Sequence, residues 1–147
     1  MTPAQRYALE KLVNRQLSDE EIAHAEARND GLLAATMKYD EIVEREIGRG
    51  AILAAMAPNG GLFLAALREI GATRPQTVDT ANVEESVGLI DIGQFDVGMS
   101  ATRQQLQDFA DKNPDLSSGI SKLLDLAKVE RTVAVEDVSA ILNSEAL

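Results

Sequence analysis

Two stretches of this chain carry no charge and almost no polarity: Ala51-Ile52-Leu53-Ala54-Ala55-Met56-Ala57 and Leu62-Phe63-Leu64-Ala65-Ala66-Leu67. Ala and Leu lose little side-chain freedom in a helix, so both stretches read as helical. Pro58-Asn59 ends the first. A helix that is apolar on every side has to be buried on every side. A chain of 147 residues can centre only a little such material in one core. Two placements follow. The pair is either the central helical hairpin of the core or a surface that another subunit covers. On the second placement Ile52, Leu53, Met56, Leu62, Phe63 and Leu67 make the contact. On the first, all six are ordinary core.

The remaining core material is thin. There is no Trp, and the aromatic residues are Phe63, Phe95, Phe109, Tyr7 and Tyr39. Alanine is the commonest residue. A core of Leu, Ile, Val and Ala lets helices approach closely and draws on partners for part of its stability.

The rest of the chain reads as helices broken by turn chemistry. Thr2 before Pro3 caps a first helix running to about Leu17. Ser18 and Glu21 form a capping box for a second, to about Arg28. A short helix covers Leu32 to Lys38. Asp40 is the expected cap of a longer helix, Glu41 to Met56, with Gly48 and Gly50 inside it. Glycine costs about 1 kcal/mol in a helix interior, so these two mark a kink or a contact too close for a Cβ. Leu62 to Ile70 follows, closed by Gly71. Residues 71–79 have turn composition and are the linker candidate between an N-terminal helical half and a C-terminal subdomain.

Beyond it a helix starts near Thr80, with Val83, Val87 and Ile90 on one face. Ser100 caps the next, whose inner face is Leu106, Phe109 and Ala110. Ser117 or Ser118 caps another, with Ile120, Leu123, Leu124 and Ala127 inward. The last runs from about Val135 to Asn143. The β signal is confined to the short run Thr132 to Val135. The expected fold is all-α, one compact bundle of about eight short helices across residues 1–147.

Charge and composition exclude several functions. The formal net charge is -10, and binding a nucleic-acid backbone needs clustered Lys and Arg instead. No apolar run reaches the 18 residues needed to span a membrane. Without cysteine there is no disulfide, zinc knuckle or thiol nucleophile.

Three local patterns suggest chemistry, and each has a plainer reading. Glu21-Ile22-Ala23-His24 has the spacing of a di-metal bundle ligand pair, but this chain holds one His and Glu21 already serves the cap. The plainer reading is a surface His beside a helix start. Gly48-Arg49-Gly50 begins like a dinucleotide fingerprint, yet position 53 is Leu. Glu41, Glu44 and Glu46 offer paired carboxylates, which are more simply the wet side of a helix. No catalytic residue, metal ligand or cofactor site is assigned, and an enzyme is not expected.

The C-terminal third, about residues 87–143, combines four features. They are a loop with Asp96, a helix holding Thr102-Arg103 and Leu106, a helix with Leu123-Leu124 and Leu126-Ala127, and a closing Val135-Glu136-Asp137-Val138-Ser139-Ala140-Ile141-Leu142. In this it resembles small proteins encoded among the structural genes of tailed bacteriophages, as does the opening Met1-Thr2-Pro3-Ala4-Gln5. Related chains carry Ser or Thr before the closing motif, where this one has Ala134. That substitution predicts a late or frayed start to the last helix.

The resemblance implies a virion or assembly context, in the particle or in the cytoplasm of the infected host, without implying a mechanism. The expected function is that of a non-enzymatic structural or assembly protein. Its partners would be copies of itself or a neighbouring virion protein. The alternative is a small acidic adaptor or inhibitor that binds one host or phage protein.

Overall fold

The structure, a computed structural model, describes residues 1–144. The chain divides into two compact units, one of residues 1–41 and 129–147, the other of residues 42–128. The second is thus inserted into the first. The chain passes between them in β1 (Tyr39–Ile42) and β4 (Lys128–Arg131), which pair with each other.

In the first unit, α1 (Pro3–Val13), α2 (Asp19–Glu26) and α3 (Asp30–Thr36) are joined by α9 (Val135–Asn143). The two expected N-terminal caps are present. Thr2 accepts from the Gln5 backbone N–H and Gln5 Oε1 accepts in return, closing α1. Ser18 and Glu21 do the same for α2. Helix α1 stops at Val13 rather than Leu17, because Asn14 takes a left-handed conformation with φ 51°. Leu9, Val13, Leu33, Met37, Val138 and Leu142 form the centre of this unit's core. Buried Gln5 also donates through Nε2 to the carbonyls of Leu142 and Ser144 at 3.3 and 3.0 Å. One side chain therefore caps the start of α1 and satisfies open carbonyls at the end of α9. Helix α9 begins at Val135 with no side-chain cap at Ala134. Its start is uncapped, as Ala134 requires, but it is not late.

The second unit holds β2 (Glu46–Ile47), α4 (Arg49–Ala55), α5 (Gly60–Gly71), α6 (Val78–Asp91), β3 (Phe95–Asp96), α7 (Ser100–Lys112), a 3-10 turn (Pro114–Leu116) and α8 (Ser117–Asp125). Strands β2 and β3 are antiparallel, Glu46 opposite Asp96 and Ile47 opposite Phe95. Asp96 fastens this corner by accepting the Arg45 and Gly98 backbone N–H groups at 2.9 and 2.8 Å. Arg103 donates to the Val97 and Leu124 carbonyls at 3.0 and 2.9 Å, tying the corner and α7 to the end of α8. The core gathers Ile52, Met56, Phe63, Ile90, Ile120 and Leu123. Phe63 meets Phe109 edge to face, with ring centroids 5.5 Å apart and planes at 81°, a favoured aromatic geometry.

The fold is predominantly helical, but the all-α expectation needs correction. The described residues include two small two-stranded sheets beside the helices. The single helix expected from Glu41 to Met56 is in fact β1, β2 and the short α4. Asp40 lies in β1 and caps nothing. The C-terminal strand is Lys128–Arg131, just before the expected run Thr132 to Val135. Helix α6, expected to start near Thr80, starts at Val78 with Thr77 as its cap and Thr80 as the reciprocal partner. Met99 and Leu116 occupy the cap positions expected for Ser100 and for Ser117 or Ser118.

Residues 72–77 connect α5 to α6 within the second unit, and the changes of unit fall at 41/42 and 128/129. Helices α5 and α6 are tightly apposed there. A Cβ at Gly71 would sit 2.9 Å from Glu84 Cα.

Gly48 and Gly50 differ in role. A Cβ at Gly48 would lie 3.2 Å from Gly93 Cα, whereas one at Gly50 would meet nothing within 4 Å. Gly50 lies in the first turn of α4, so only its backbone entropy matters. Gly50→Ala is expected to stabilise the protein by about 0.5 kcal/mol. Chemical denaturation checks this; a destabilised variant would contradict the open space around Gly50.

Candidate functional site

The hairpin of α4 and α5 contains the six residues proposed for contact, and it sorts them into two groups. Ile52, Met56, Phe63 and Leu67 are 0 to 7% exposed and are committed to the core of their own unit. Leu53 and Leu62 are 44 and 63% exposed. Four of the six are therefore core, and the other two lie on the outer face of the hairpin.

The outer face is unusually apolar for a surface. From Gly50 to Leu67 the chain has no charged residue. Leu53, Ala54, Gly61, Leu62 and Ala65 are all exposed. In a chain that is 26% charged, 18 residues without a charge are an exception. A single exposed Leu is ordinary; here two stand among exposed small residues on neighbouring helices, with no charge between them in the chain. Helix packing brings the two halves together: the Leu53 backbone approaches α5 so closely that a Cβ at Gly60 would lie 2.8 Å from Leu53 Cα.

A second feature of the same unit is a cleft of about 290 Å³ between α6 and α7. Ile70, Phe95, Leu106 and Phe109 are among the apolar residues that line it, with Asp79, Asn82 and Ser86 on α6 and Gln105, Asp108 and Lys112 on α7. The lining is drawn from four elements between residues 67 and 113, and no local sequence pattern announces it.

No family model, curated protein or solved structure matches this chain. The site is therefore read from its residues.

The first unit holds a buried ionisable group whose pKa is shifted by its neighbours. Glu21, 2% exposed, receives two hydrogen bonds from Arg15, at 2.7 and 2.9 Å. Burial pushes its carboxyl up, but the Arg15 guanidinium and the Ser18 backbone and hydroxyl donors outweigh it. The net effect holds Glu21 below the usual carboxylate range. The same contact raises the Arg15 pKa. Arg15 also donates to the carbonyls of Gln16 and Lys38. This is a structural clamp between α1, α2 and the end of α3, with every charge answered.

The other sequence patterns stay apart. His24 Nε2 lies 3.6 Å from Glu20 Oε1, one turn away on α2, and Glu21 is taken by Arg15. Among the described residues no group of three or more His, Asp or Glu side chains is placed to hold a metal ion. Glu41 pairs with Arg131 at 2.6 Å, and Glu44 and Glu46 are exposed. Gly48 caps the start of α4 after β2, without a side-chain cap bond. No helix among the described residues is long and apolar enough to cross a membrane.

Proposed function

We propose that this protein is a non-enzymatic virion or assembly component of a tailed bacteriophage, working through helix-mediated contacts between copies of itself. The carrying observation is the uncharged outer face of α4 and α5, with Leu53 and Leu62 at 44 and 63% exposure. The phage context is supported by the resemblance of residues 87–143 and of the opening residues. An uncharged partner surface, such as the same face of a second copy, suits this face better than a charged one because residues 50–67 carry no charge. The net charge of -10 on each copy confines contact to that face. Two copies repel everywhere except where both are uncharged. The small residues Ala54, Gly61 and Ala65 allow close helix approach around the two leucines.

Light scattering after size exclusion, over a concentration series, tests this reading. The expected result is a discrete assembly larger than the 15.8 kDa chain. Leu53→Lys with Leu62→Lys places charges into that contact and is expected to weaken assembly at least tenfold, or about 1.4 kcal/mol. The melting temperature should stay close to the original, since both side chains are exposed. A monomer at every concentration would overturn self-association and favour the acidic adaptor, to be sought by its partner.

A further inference from the structure

We infer that the cleft between α6 and α7 is a binding site for a small apolar molecule that carries a protonated amine. Three properties of the cleft lead there, and none depends on the outer face of α4 and α5.

The first is size. At about 290 Å³ the cleft stands at the lower end of small-molecule sites. Its walls, Asp79 to Ser86 on α6 and Gln105 to Lys112 on α7, each cover two helical turns, about 10 Å. A partner helix with side chains is itself about 10–12 Å across and does not fit such a volume. A single aromatic ring with a short chain does.

The second is the lining. Two of the chain's three phenylalanines, Phe95 and Phe109, line the cleft with Ile70 and Leu106. Phe109 is held by its edge contact with Phe63, so the wall is set before anything binds. Aromatic faces are negative and attract an ammonium group that comes within about 6 Å.

The third is the charge of the rim. Asp79 and Asp108 stand on opposite walls against one cation, Lys112, which leaves the rim net negative. The other acids on α6 include Glu84, paired with Arg74, and Asp91, paired with Arg68. Asp79 has no such pairing among the described residues, and Asp108 accepts only the neutral amide of Gln104, at 3.0 Å. A cationic ligand gains at both carboxylates, while an anionic one of equal bulk meets them as like charges. Asn82 and Gln105 add hydrogen-bonding groups to the lining.

The experiment is a titration of the full isotope-labelled chain followed by amide NMR. Two probes of matched shape and opposite charge are used: phenethylammonium and 3-phenylpropionate. Saturable shifts are expected at Asn82, Ser86, Gln105 and Asn113 with the amine. The carboxylate should bind about tenfold more weakly or not at all. Asp79→Asn with Asp108→Asn, both exposed positions, should erase that preference while the melting temperature holds. Absence of saturable shifts with the amine up to about 10 mM, or equal binding of the two probes, would overturn the inference. Should the double variant fold poorly, the comparison of the two probes on the unaltered chain decides alone.

Discussion

Gly98→Ala is expected to cost the second unit about 3 kcal/mol or more, enough to lower its melting temperature by about 10 °C. The added Cβ would fall on the Val43 carbonyl oxygen, 2.7 Å from the Val43 carbonyl carbon and 3.1 Å from Asp96 Oδ1. None of these atoms is free to yield. The Val43 N–H donates to the Ala127 carbonyl at 2.9 Å. The Arg45 N–H is held by Asp96 at 2.9 Å, and the Arg45 carbonyl accepts from Val97 at 3.0 Å. Relief therefore means breaking the β2–β3 corner, where Ile47 and Phe95 are buried. Thermal melts of Gly98→Ala beside Gly50→Ala separate this steric effect from a general intolerance of Gly replacement. A Gly98→Ala melt within about 2 °C of the original would contradict the close approach.

Removal of the Glu21 charge is the second large expected effect. Glu21→Gln keeps the shape but leaves Arg15 without its counter-charge. A buried partner lost from an ion pair costs about 3–5 kcal/mol. Here Arg15 is 36% exposed and water takes up part of its charge, so about 2 kcal/mol is expected. The pH dependence follows from the direction of the shift. A carboxyl held below its unfolded value binds protons more readily when unfolded, so it contributes stability above the unfolded pKa, about 4.3. That contribution is lost as pH falls through the lower folded value. Asp30 behaves likewise, lowered by hydrogen bonds from Arg28 and from the Ser139 hydroxyl. The stability of the original chain should therefore drop below about pH 4.5, and Glu21→Gln should flatten that slope. Denaturation midpoints between pH 3 and 7 measure both; an unchanged slope in the variant would remove Glu21 as the source.

The features legible in the sequence were local. The boxes at Thr2 and Ser18 are set by residues three apart, so the caps of α1 and α2 follow from side-chain chemistry alone. The inward faces Leu106 with Phe109 and Ile120 with Leu123 follow from helical spacing, and all four belong to the core or pack against it. Strands β2 and β3 are two residues each and pair across 50 positions, 46 with 96. A two-residue strand has no period to detect, and its partner lies too far away for any window. Hence Glu41 to Met56 read as one helix. The same limit governs the hairpin. A stretch apolar on every side conceals which side is inward, so Ile52 and Leu53, adjacent in sequence, read alike yet are 0 and 44% exposed. The α6–α7 cleft was not legible for a further reason: it is a space left between helices, set by how far apart their backbones settle.

The insertion of one unit into the other sets an order of events during synthesis. The core residues Leu9, Leu33 and Met37 are made early, but Val138 and Leu142, which complete their cluster, come about a hundred residues later. All of residues 42–128 emerge in between, and their core needs nothing beyond Ala127. At about 5–20 residues per second, the opening segment waits for several seconds with its apolar side chains uncovered, while the inserted unit has every residue it needs to fold. The newborn chain is thus most exposed to mispairing or capture by a chaperone at its beginning, and that exposure ends only with the arrival of α9.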